Sequence, residues 1–427
     1  MRSISPSAAN GLKVKTRTMR RRPERMGTNG AEERAIIRPD LTRLSLLWLC
    51  GACLRLTVLA TPPVVPLLHA DLHLSETAIG WLSSLPPMLF AIMAVPGALL
   101  IARFGILPAL VMGLLINAFG SAARGVYPDA ISLYVSTMIM AAGVAIMQPV
   151  LPPLVRTWFP QRIGFATAIY TNGLLVGETL AVALTIPFLL PLVNDSWRLS
   201  FVVWSAPVLV TALLVIACVS TLGGAGQAST STNRKWWPDW RQLLIWRLGL
   251  ILGSINAMYY VTNAFLPDYV IAAGRPDLIS ESLTALNLCQ LPASVVMLGV
   301  AGRLVKEPWA YRVTGGLAAL CVVGMMTTTD FWIVVWAGLL GFVSSMTLVL
   351  TLALPSVLGA PDDVHRTSAG MFTISYSIAM VLSIGGGWLW DLTGLPVAGL
   401  APAAVCGLVI VALAGTVRRS GSSFAAA

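Results

Sequence analysis

Two ionisable side chains stand alone deep inside long apolar stretches of the sequence, and no others do. Arg55 lies within the stretch 44–68, and Glu178 lies within the stretch 163–190. A guanidinium stays charged and binds planar oxyanions with two parallel N–H donors, so Arg55 is a candidate for holding an anionic group. A carboxylate in an apolar setting can take up and release a proton, so Glu178 is a candidate proton-coupling residue. An ion pair between the two is the structural alternative to both hypotheses.

Polar side chains recur at helical spacing in several other apolar stretches. Asn256, Tyr259, Tyr260 and Asn263 follow the spacing i, i+3, i+4, i+7, which places them on one face of a helix. Further polar residues in apolar stretches are Gln148, Tyr170, Thr171, Asn172, Asn287, Gln290, Ser294 and Tyr376. We expect Gln148, Tyr170, Asn172, Gln290 and Tyr376, together with the face of four, to contact a substrate in a cavity between helices. The alternative is that these side chains form hydrogen bonds that hold neighbouring helices together.

The composition requires an apolar environment for most of this chain. Of its 427 residues, 56% are hydrophobic and 11% are charged, and the mean hydropathy is +0.79. Soluble proteins contain about 25% charged residues, and disordered chains are poor in apolar residues, so both classes are excluded. The sequence is therefore predicted to be a multi-pass protein of the cytoplasmic (inner) membrane.

Cysteine usage predicts neither a disulfide framework nor a metal site. All six cysteines lie in apolar stretches, and the pair Cys50 and Cys53 lacks the second pair or nearby histidine that would complete a zinc site. The sequence also contains no hydrolase, zinc-peptidase or nucleotide-binding-loop motif. We therefore expect no enzyme activity, no metal and no cofactor.

Twelve apolar stretches are long enough to span a bilayer, which takes about 20 residues for a helix. They are 44–68, 77–101, 106–123, 131–154, 163–190, 199–220, 244–270, 283–302, 309–327, 331–355, 367–388 and 395–416. The polar, basic segment 221–243 divides them six and six. We therefore predict an all-α membrane protein of two six-helix bundles, 44–220 and 244–416. The segments 1–43 and 417–427 are predicted to be cytoplasmic tails, the first of them basic and disordered.

The distribution of lysine and arginine predicts that both termini lie in the cytoplasm. With that orientation most of the 28 basic residues lie on the cytoplasmic side, and Arg124, Arg198 and Arg275 lie in connections on the opposite side. The net charge of +10 is then a consequence of topology. It predicts contact with membrane lipid and no binding of nucleic acid.

A short loop pattern occurs at equivalent places in the two predicted bundles. Gly97 lies near the end of the second apolar stretch, Arg103 and Gly105 follow it, and Arg303 follows the eighth. Internal repeats of this kind are typical of secondary transporters, whose substrate site lies near the membrane midplane. The pattern resembles the gating loop of the major facilitator superfamily, with Ala102 where that family usually has aspartate. The resemblance implies that these four residues form gating loops.

Longer strings resemble one branch of that superfamily, the cyanate permease and 2-nitroimidazole transporter branch. They are Leu-Arg-Leu-Thr at 54–57, Leu-Pro-Pro-Leu-Val-Arg at 151–156, Phe-Pro-Gln-Arg at 159–162 and Ser-Ala-Gly-Met at 368–371. The first of them has Leu56 where the branch has proline. The resemblance covers most of the chain from about residue 44 onward and does not identify a substrate.

These features together favour a secondary active transporter that moves a small anionic solute by alternating access. Coupling to protons through Glu178 is a further hypothesis. One alternative is the efflux of drug-like or weakly basic compounds, with Glu178 as the cation site. An alternative of another class is a transporter-shaped sensor or scaffold. We expect the protein to be a monomer.

Overall fold

The computed structural model describes residues 29–74, 76–218 and 235–421. Within these ranges the chain consists of α-helices joined by turns, short 3₁₀ helices and a π-helical turn. The predicted basic tail up to residue 28, the part of the predicted central loop up to residue 234, and residues 422–427 lie outside the described ranges.

The first half of the chain, residues 29–218, forms helices that correspond to the first six predicted spans. They are α1 (Asn29–Cys53), α2 (Val65–Leu72), α3 (Glu76–Phe104), α4 (Ile106–Ala123), α5 (Ala130–Trp158), α6 (Ile163–Leu184), α7 (Leu190–Leu192) and α8 (Trp197–Cys218). The π-helical turn Thr185–Leu189 joins α6 to α7.

The second half, residues 235–421, forms helices that correspond to the last six predicted spans. They are α9 (Leu243–Ala272), α10 (Ile279–Leu288), α11 (Gln290–Leu304), α12 (Pro308–Thr327), α13 (Phe331–Leu358), α14 (Val364–Thr393) and α15 (Ala401–Leu413).

The described residues contain 11 helices, or helical segments in direct succession, that are long and apolar enough to cross a membrane. They confirm the predicted all-α class and correspond to all the predicted spans except the first. Helix α4 coincides with its predicted range because Gly105, with φ +90°, ends one helix and allows the next to begin.

The prediction of one continuous helix over 44–68 is wrong. Helix α1 ends at Cys53, and residues 54–61 form turns and a bend before helical structure resumes. Pro62 and Pro63 have no N–H to donate to the preceding turn and so weaken a helix at this point, although α3 continues through Pro86 and Pro87. The apolar part of α1 is too short to span a bilayer alone, and the count of twelve spans therefore stays a prediction.

The two halves use the same helix pairings. In the first half α1 packs on α6, α3 on α5, and α4 on both α5 and α8. In the second half the corresponding pairs are α9 with α14, α11 with α13, and α12 with both α13 and α15. Between the halves α3 packs on α14 and α6 packs on α11. The pairings therefore repeat, and a seam between the halves runs through the centre of the molecule.

The seam is closed at the face where α1 begins and α15 ends, which we call the terminal face. Arg156 Nη1 donates a hydrogen bond across the seam to the carbonyl oxygen of Gly359, at 2.5 Å. The backbones of α6 and α11 touch nearby, since a Cβ atom added at Gly164 would lie 2.8 Å from the Cα atom of Gly302. Side-chain and backbone contacts thus join the two halves at this face.

Within the first half, α1 and α6 cross at very short range. Gly173 and Gly177 lie four residues apart on α6, and a Cβ atom at either would overlap with the carbonyl oxygen of Trp48 or of Ala52. Small residues at this spacing allow membrane helices to approach backbone to backbone. The crossing places Glu178, the next residue of α6, beside the end of α1.

Candidate functional site

A small cavity lies in the seam, and each half of the chain contributes six side chains to its wall. The first half contributes Leu54, Arg55, Gln148, Leu151, Tyr170 and Leu174. The second half contributes Leu252, Asn256, Leu348, Leu352, Phe372 and Tyr376. Five of the residues predicted to bind substrate therefore lie on the wall of one cavity, at the interface of the two halves.

Arg55 enters the cavity from the break in the first predicted span, two residues after the end of α1. Its side chain is partly buried, and its Nη1 donates a hydrogen bond to the hydroxyl group of Tyr260, 3.3 Å away. Among the described residues it forms no ion pair. The guanidinium therefore faces the cavity with a neutral partner.

Glu178 has a neutral partner as well. Its Oε1 accepts a hydrogen bond of 2.6 Å from the hydroxyl group of Tyr259, which belongs to α9 in the other half. The rings of Tyr259 and Tyr260 meet edge to face, with centroids 5.4 Å apart. Two adjacent tyrosines therefore stand between Glu178 and Arg55. The direct ion pair that the sequence allowed is not formed in the described part of the chain.

Two of the five predicted residues on the cavity wall also contain a polar atom that forms no hydrogen bond with the described residues. Gln148 and Tyr170 are both buried, at 6% and 2% exposed. The Oε1 atom of Gln148 and the hydroxyl group of Tyr170 have no hydrogen-bond partner among the described residues. Buried polar atoms usually have a partner, so these two are unsatisfied in this conformer.

The second half supplies a more apolar part of the wall. The Nδ2 atom of Asn256 donates to Ser375 Oγ at 2.8 Å, which uses one of its donors within the protein. The ring of Tyr376 meets Phe90 of the first half edge to face, with centroids 5.1 Å apart. These contacts give the cavity a rigid aromatic side.

The other five predicted residues do not line this cavity: Tyr259 and Tyr260, described above, and Asn172, Asn263 and Gln290. Asn172 accepts a hydrogen bond from Trp48 Nε1 and donates one to Ser294 Oγ, both at 2.9 Å, and so links three helices. Asn263 and Gln290 donate to backbone carbonyl oxygens one turn earlier in the chain. Asn172 therefore matches the alternative, in which polar side chains hold neighbouring helices together, whereas the two bonds of Asn263 and Gln290 each lie within a single turn.

The residues predicted for the gating loops lie near the terminal face. Gly97 packs closely against α5, and Gly105 has the positive φ that the turn between α3 and α4 requires. Arg103 and Arg303 are exposed and form no hydrogen bond or ion pair with the described residues. The arginine that joins the two halves here is Arg156, which sequence reasoning did not assign to the site.

Sequence reasoning also missed a buried polar stripe on α4. Asn117, Ser121 and Arg124 follow the spacing i, i+4, i+7, and all three are 0% exposed. Arg124 follows the last residue of α4, as predicted for a connection, but its side chain turns inward. Arg124 is therefore a third buried charge, which a search for ionisable residues inside apolar stretches does not find. The helical spacing of the three residues was the available signal.

Comparison with known proteins identifies the family. The Major Facilitator Superfamily matches residues 47–384 of the chain. The 2-nitroimidazole transporter of Escherichia coli (strain K12) is 25% identical over 346 residues, which are 78% of this chain and 83% of that protein. The cyanate transport protein CynX of the same organism is 26% identical over 262 residues, which are 60% of this chain and 66% of that protein. The predicted resemblance to this branch is confirmed.

Solved structures show the same fold. FucP, a transporter of this superfamily crystallised in the outward conformation, has a TM-score of 0.74 at 15% identity over 89% of this chain and 99% of that chain. A variant of FucP described as a fucose:proton symporter has a TM-score of 0.69 at 16% identity over 89% of this chain and 98% of that chain. Because the family match spans most of the chain and the related sequences are transporters, this chain belongs to the Major Facilitator Superfamily and is a multi-pass membrane transport protein, not an enzyme.

Proposed function

We propose that this protein is a secondary active transporter that binds a small anionic solute at Arg55. The observation that carries the proposal is the partner of Arg55, which is the neutral hydroxyl group of Tyr260 at 3.3 Å. A charge held in a membrane interior without a directly bound counter-ion costs free energy. An anionic solute in the cavity would offset that cost, and the guanidinium could bind it through two parallel hydrogen bonds.

The remainder of the cavity suits a small solute with one or two polar atoms besides its charge. Gln148 and Tyr170 offer unused polar atoms, and the leucines of the wall offer apolar surface. Cyanate, in the name of one relative, is a small anion and supports this class of solute. The 2-nitroimidazole in the name of another relative is a larger, aromatic compound.

Transport by alternating access requires a second conformer in which the seam opens at the terminal face. In the present conformer that face is held shut by Arg156 and by Ser356, whose Oγ donates to the carbonyl oxygen of Pro152 at 2.7 Å. With both termini in the cytoplasm, as the arginine distribution predicts, the cavity would be accessible from outside.

Proton coupling through Glu178 is the second part of the proposal. The ionised carboxylate accepts a hydrogen bond from Tyr259 across the seam. Protonation of Glu178 would remove the charge and weaken that hydrogen bond, because bonds to charged groups are stronger than neutral ones. Uptake of a proton would thereby ease the separation of the two halves on the side opposite the terminal face.

A second candidate is the efflux of weakly basic compounds with Glu178 as the cation site. The partial exposure of Glu178 favours it, since a carboxylate beside the cavity could bind a cation once Tyr259 moves. This candidate predicts transport of amines that depends on Glu178 and not on Arg55.

The two candidates separate in proteoliposomes that contain the purified protein. Uptake of labelled cyanate and of a labelled organic amine would be measured with and without an imposed pH gradient. Under the main proposal, Arg55→Gln nearly abolishes anion uptake, and Arg55→Lys raises KM because the ammonium lacks the fork of two donors. Glu178→Gln keeps exchange of the anion but loses accumulation driven by the pH gradient.

The control is Arg241→Gln, which removes an exposed arginine at the terminal face. It changes the net charge as Arg55→Gln does and is expected to leave uptake unchanged. Normal anion uptake by inserted Arg55→Gln protein would overturn the role of Arg55. The second candidate would be favoured if the protein took up the amine but not cyanate, and if Glu178→Gln abolished that uptake.

A further inference from the structure

The break in the first predicted span leaves several backbone carbonyl groups without their helical donors, among them those of Cys53 and Thr57. In a continuous α-helix the carbonyl oxygen of Cys53 would accept from the N–H of Thr57, and that of Thr57 would accept from the N–H of Thr61. Here the N–H of Thr61 points to the carbonyl oxygen of Val58 instead, at 3.5 Å. Two buried acceptors next to Arg55 therefore need donors from elsewhere.

Two side chains of the α4 stripe supply those donors. Asn117 Nδ2 donates to the carbonyl oxygen of Cys53 at 3.0 Å, and Arg124 Nη2 donates to that of Thr57 at 2.9 Å. Arg124 Nη1 reaches one turn further and donates to Thr61 Oγ1 at 3.0 Å. The contacts follow the whole length of the break.

The two donors are themselves fixed in orientation. Thr57 Oγ1 donates to Asn117 Oδ1 at 2.8 Å, which leaves the Nδ2 atom of this amide directed at the backbone. The guanidinium of Arg124 lies 4.0 Å from the ring centroid of Phe201 and donates also to Ser121 Oγ at 2.9 Å.

Arg124 forms no ion pair with any described residue, although its side chain is fully buried. A buried cation without a carboxylate is costly. The carbonyl and hydroxyl oxygens of the break are therefore what this guanidinium binds. Lysine could not replace it, since one ammonium cannot occupy both nitrogen positions of a planar fork.

We propose that Asn117 and Arg124 are positioning residues that hold the break in its non-helical form and so direct Arg55 into the cavity. Neither residue lines the cavity, so each would act on the solute only through Arg55. The part of the inference that concerns solute binding rests on the proposed function. The part that concerns the conformation of residue 55 does not, and it can be tested without any solute.

The conformational test uses a thiol at position 55 in a background without the native cysteines. Arg55→Cys is combined with Arg124→Lys or with Asn117→Leu, and the rate of reaction with methyl methanethiosulfonate is measured. A thiol at Leu151, on α5 in the same cavity, reports on access to the cavity as a whole. We expect each α4 variant to slow the reaction at position 55 severalfold and to leave the reaction at position 151 unchanged.

Arg198→Lys is the matched control. Arg198 Nε donates to the carbonyl oxygen of Gly125, at the same end of α4, and has no contact with the break. It should not alter either rate. The proposal would be overturned if the thiol at position 55 reacted at the same rate with and without the Arg124 or Asn117 substitution, in protein that elutes as a monodisperse species. It would also be overturned if the reactions at positions 55 and 151 were slowed equally. If Arg124→Lys does not insert, Asn117→Leu and Thr57→Val carry the same test.

The transport test measures the uptake of labelled cyanate by the Arg124→Lys and Asn117→Leu variants, which keep Arg55, in proteoliposomes. Displacement of Arg55 should raise KM by about tenfold or more while kcat changes less, since small misplacements of a binding group have large effects. If Arg55→Gln itself leaves uptake normal, the proposed function fails and the thiol rates still decide the positioning role. If Arg55→Gln abolishes uptake and Arg124→Lys leaves KM unchanged, the positioning role fails alone.

Discussion

At the scale of single residues, hydroxyl groups rather than opposite charges join the two halves around the site. Arg55 and Glu178 both belong to the first half, and each forms a hydrogen bond with a tyrosine of α9 in the second half. Removing either charged residue therefore leaves the partner of the other in place. This arrangement differs from a buried ion pair, in which loss of one member strands the other.

The stability of Arg55→Gln, Glu178→Gln and the double variant should reflect this difference. We expect the two single effects on the free energy of unfolding to add, with a coupling below about 1 kcal/mol. A direct buried pair would make each single variant lose several kcal/mol and the double variant recover stability. Melting temperatures in detergent, measured side by side for the four proteins, decide between these outcomes. A double variant more stable than either single variant would contradict the arrangement described here.

At the scale of the helix, the position of Glu178 depends on the close crossing of α1 and α6. A Cβ atom at Gly173 would overlap with the carbonyl oxygen of Trp48, and backbone cannot yield as a flexible side chain can. Gly173→Ala is therefore expected to lower the free energy of unfolding by about 1–3 kcal/mol, the usual cost of overpacking. Gly385→Ala in α14 is the control, because a Cβ atom there meets nothing within 4 Å. Similar melting temperatures for the two variants would contradict the close crossing.

The helices themselves were predictable because a membrane span needs only a run of apolar residues, and α4 was predicted to the residue. The break after Cys53 could not be predicted in the same way, because residues 54–61 are as apolar as their neighbours apart from Arg55. Its stability depends on Asn117 and Arg124, which are distant in the sequence. Proline at positions 62 and 63 was the local signal, but it does not identify the donors.

The same limit applies to the site. Polar residues in apolar helices must face protein or a cavity, and Gln148 and Tyr170 do lie on the cavity wall. That rule cannot tell a cavity residue from one that bonds to a neighbouring helix, and Asn172 is of the second kind. Only the packing of the two halves separates these cases.

At the scale of the whole molecule, the seam is shut at the terminal face by a small number of contacts between the halves. The backbones meet at Gly164, and hydrogen bonds run from Arg156 and from Ser356 to carbonyl oxygens of the other half. Transport requires these contacts to break and form again in each cycle. Their strength therefore sets the balance between the conformer described here and one open to the terminal face.

Removing both hydrogen bonds should shift that balance. A hydrogen bond is worth about 0.5–1.5 kcal/mol, or about 1.5–3 kcal/mol with a charged donor, and each 1.4 kcal/mol changes a population ratio about tenfold. Arg156→Leu with Ser356→Ala should therefore favour the conformer open to the terminal face by at least about tenfold.

The measurement is the labelling of a thiol introduced by Leu151→Cys, in a cysteine-free background, by an impermeant maleimide in vesicles sealed with the terminal face outward. Labelling should become faster in the double variant and stay at the parent rate in Arg241→Gln. An unchanged rate in correctly inserted double variant would mean that helix packing around Gly164, and not hydrogen bonding, keeps this face closed.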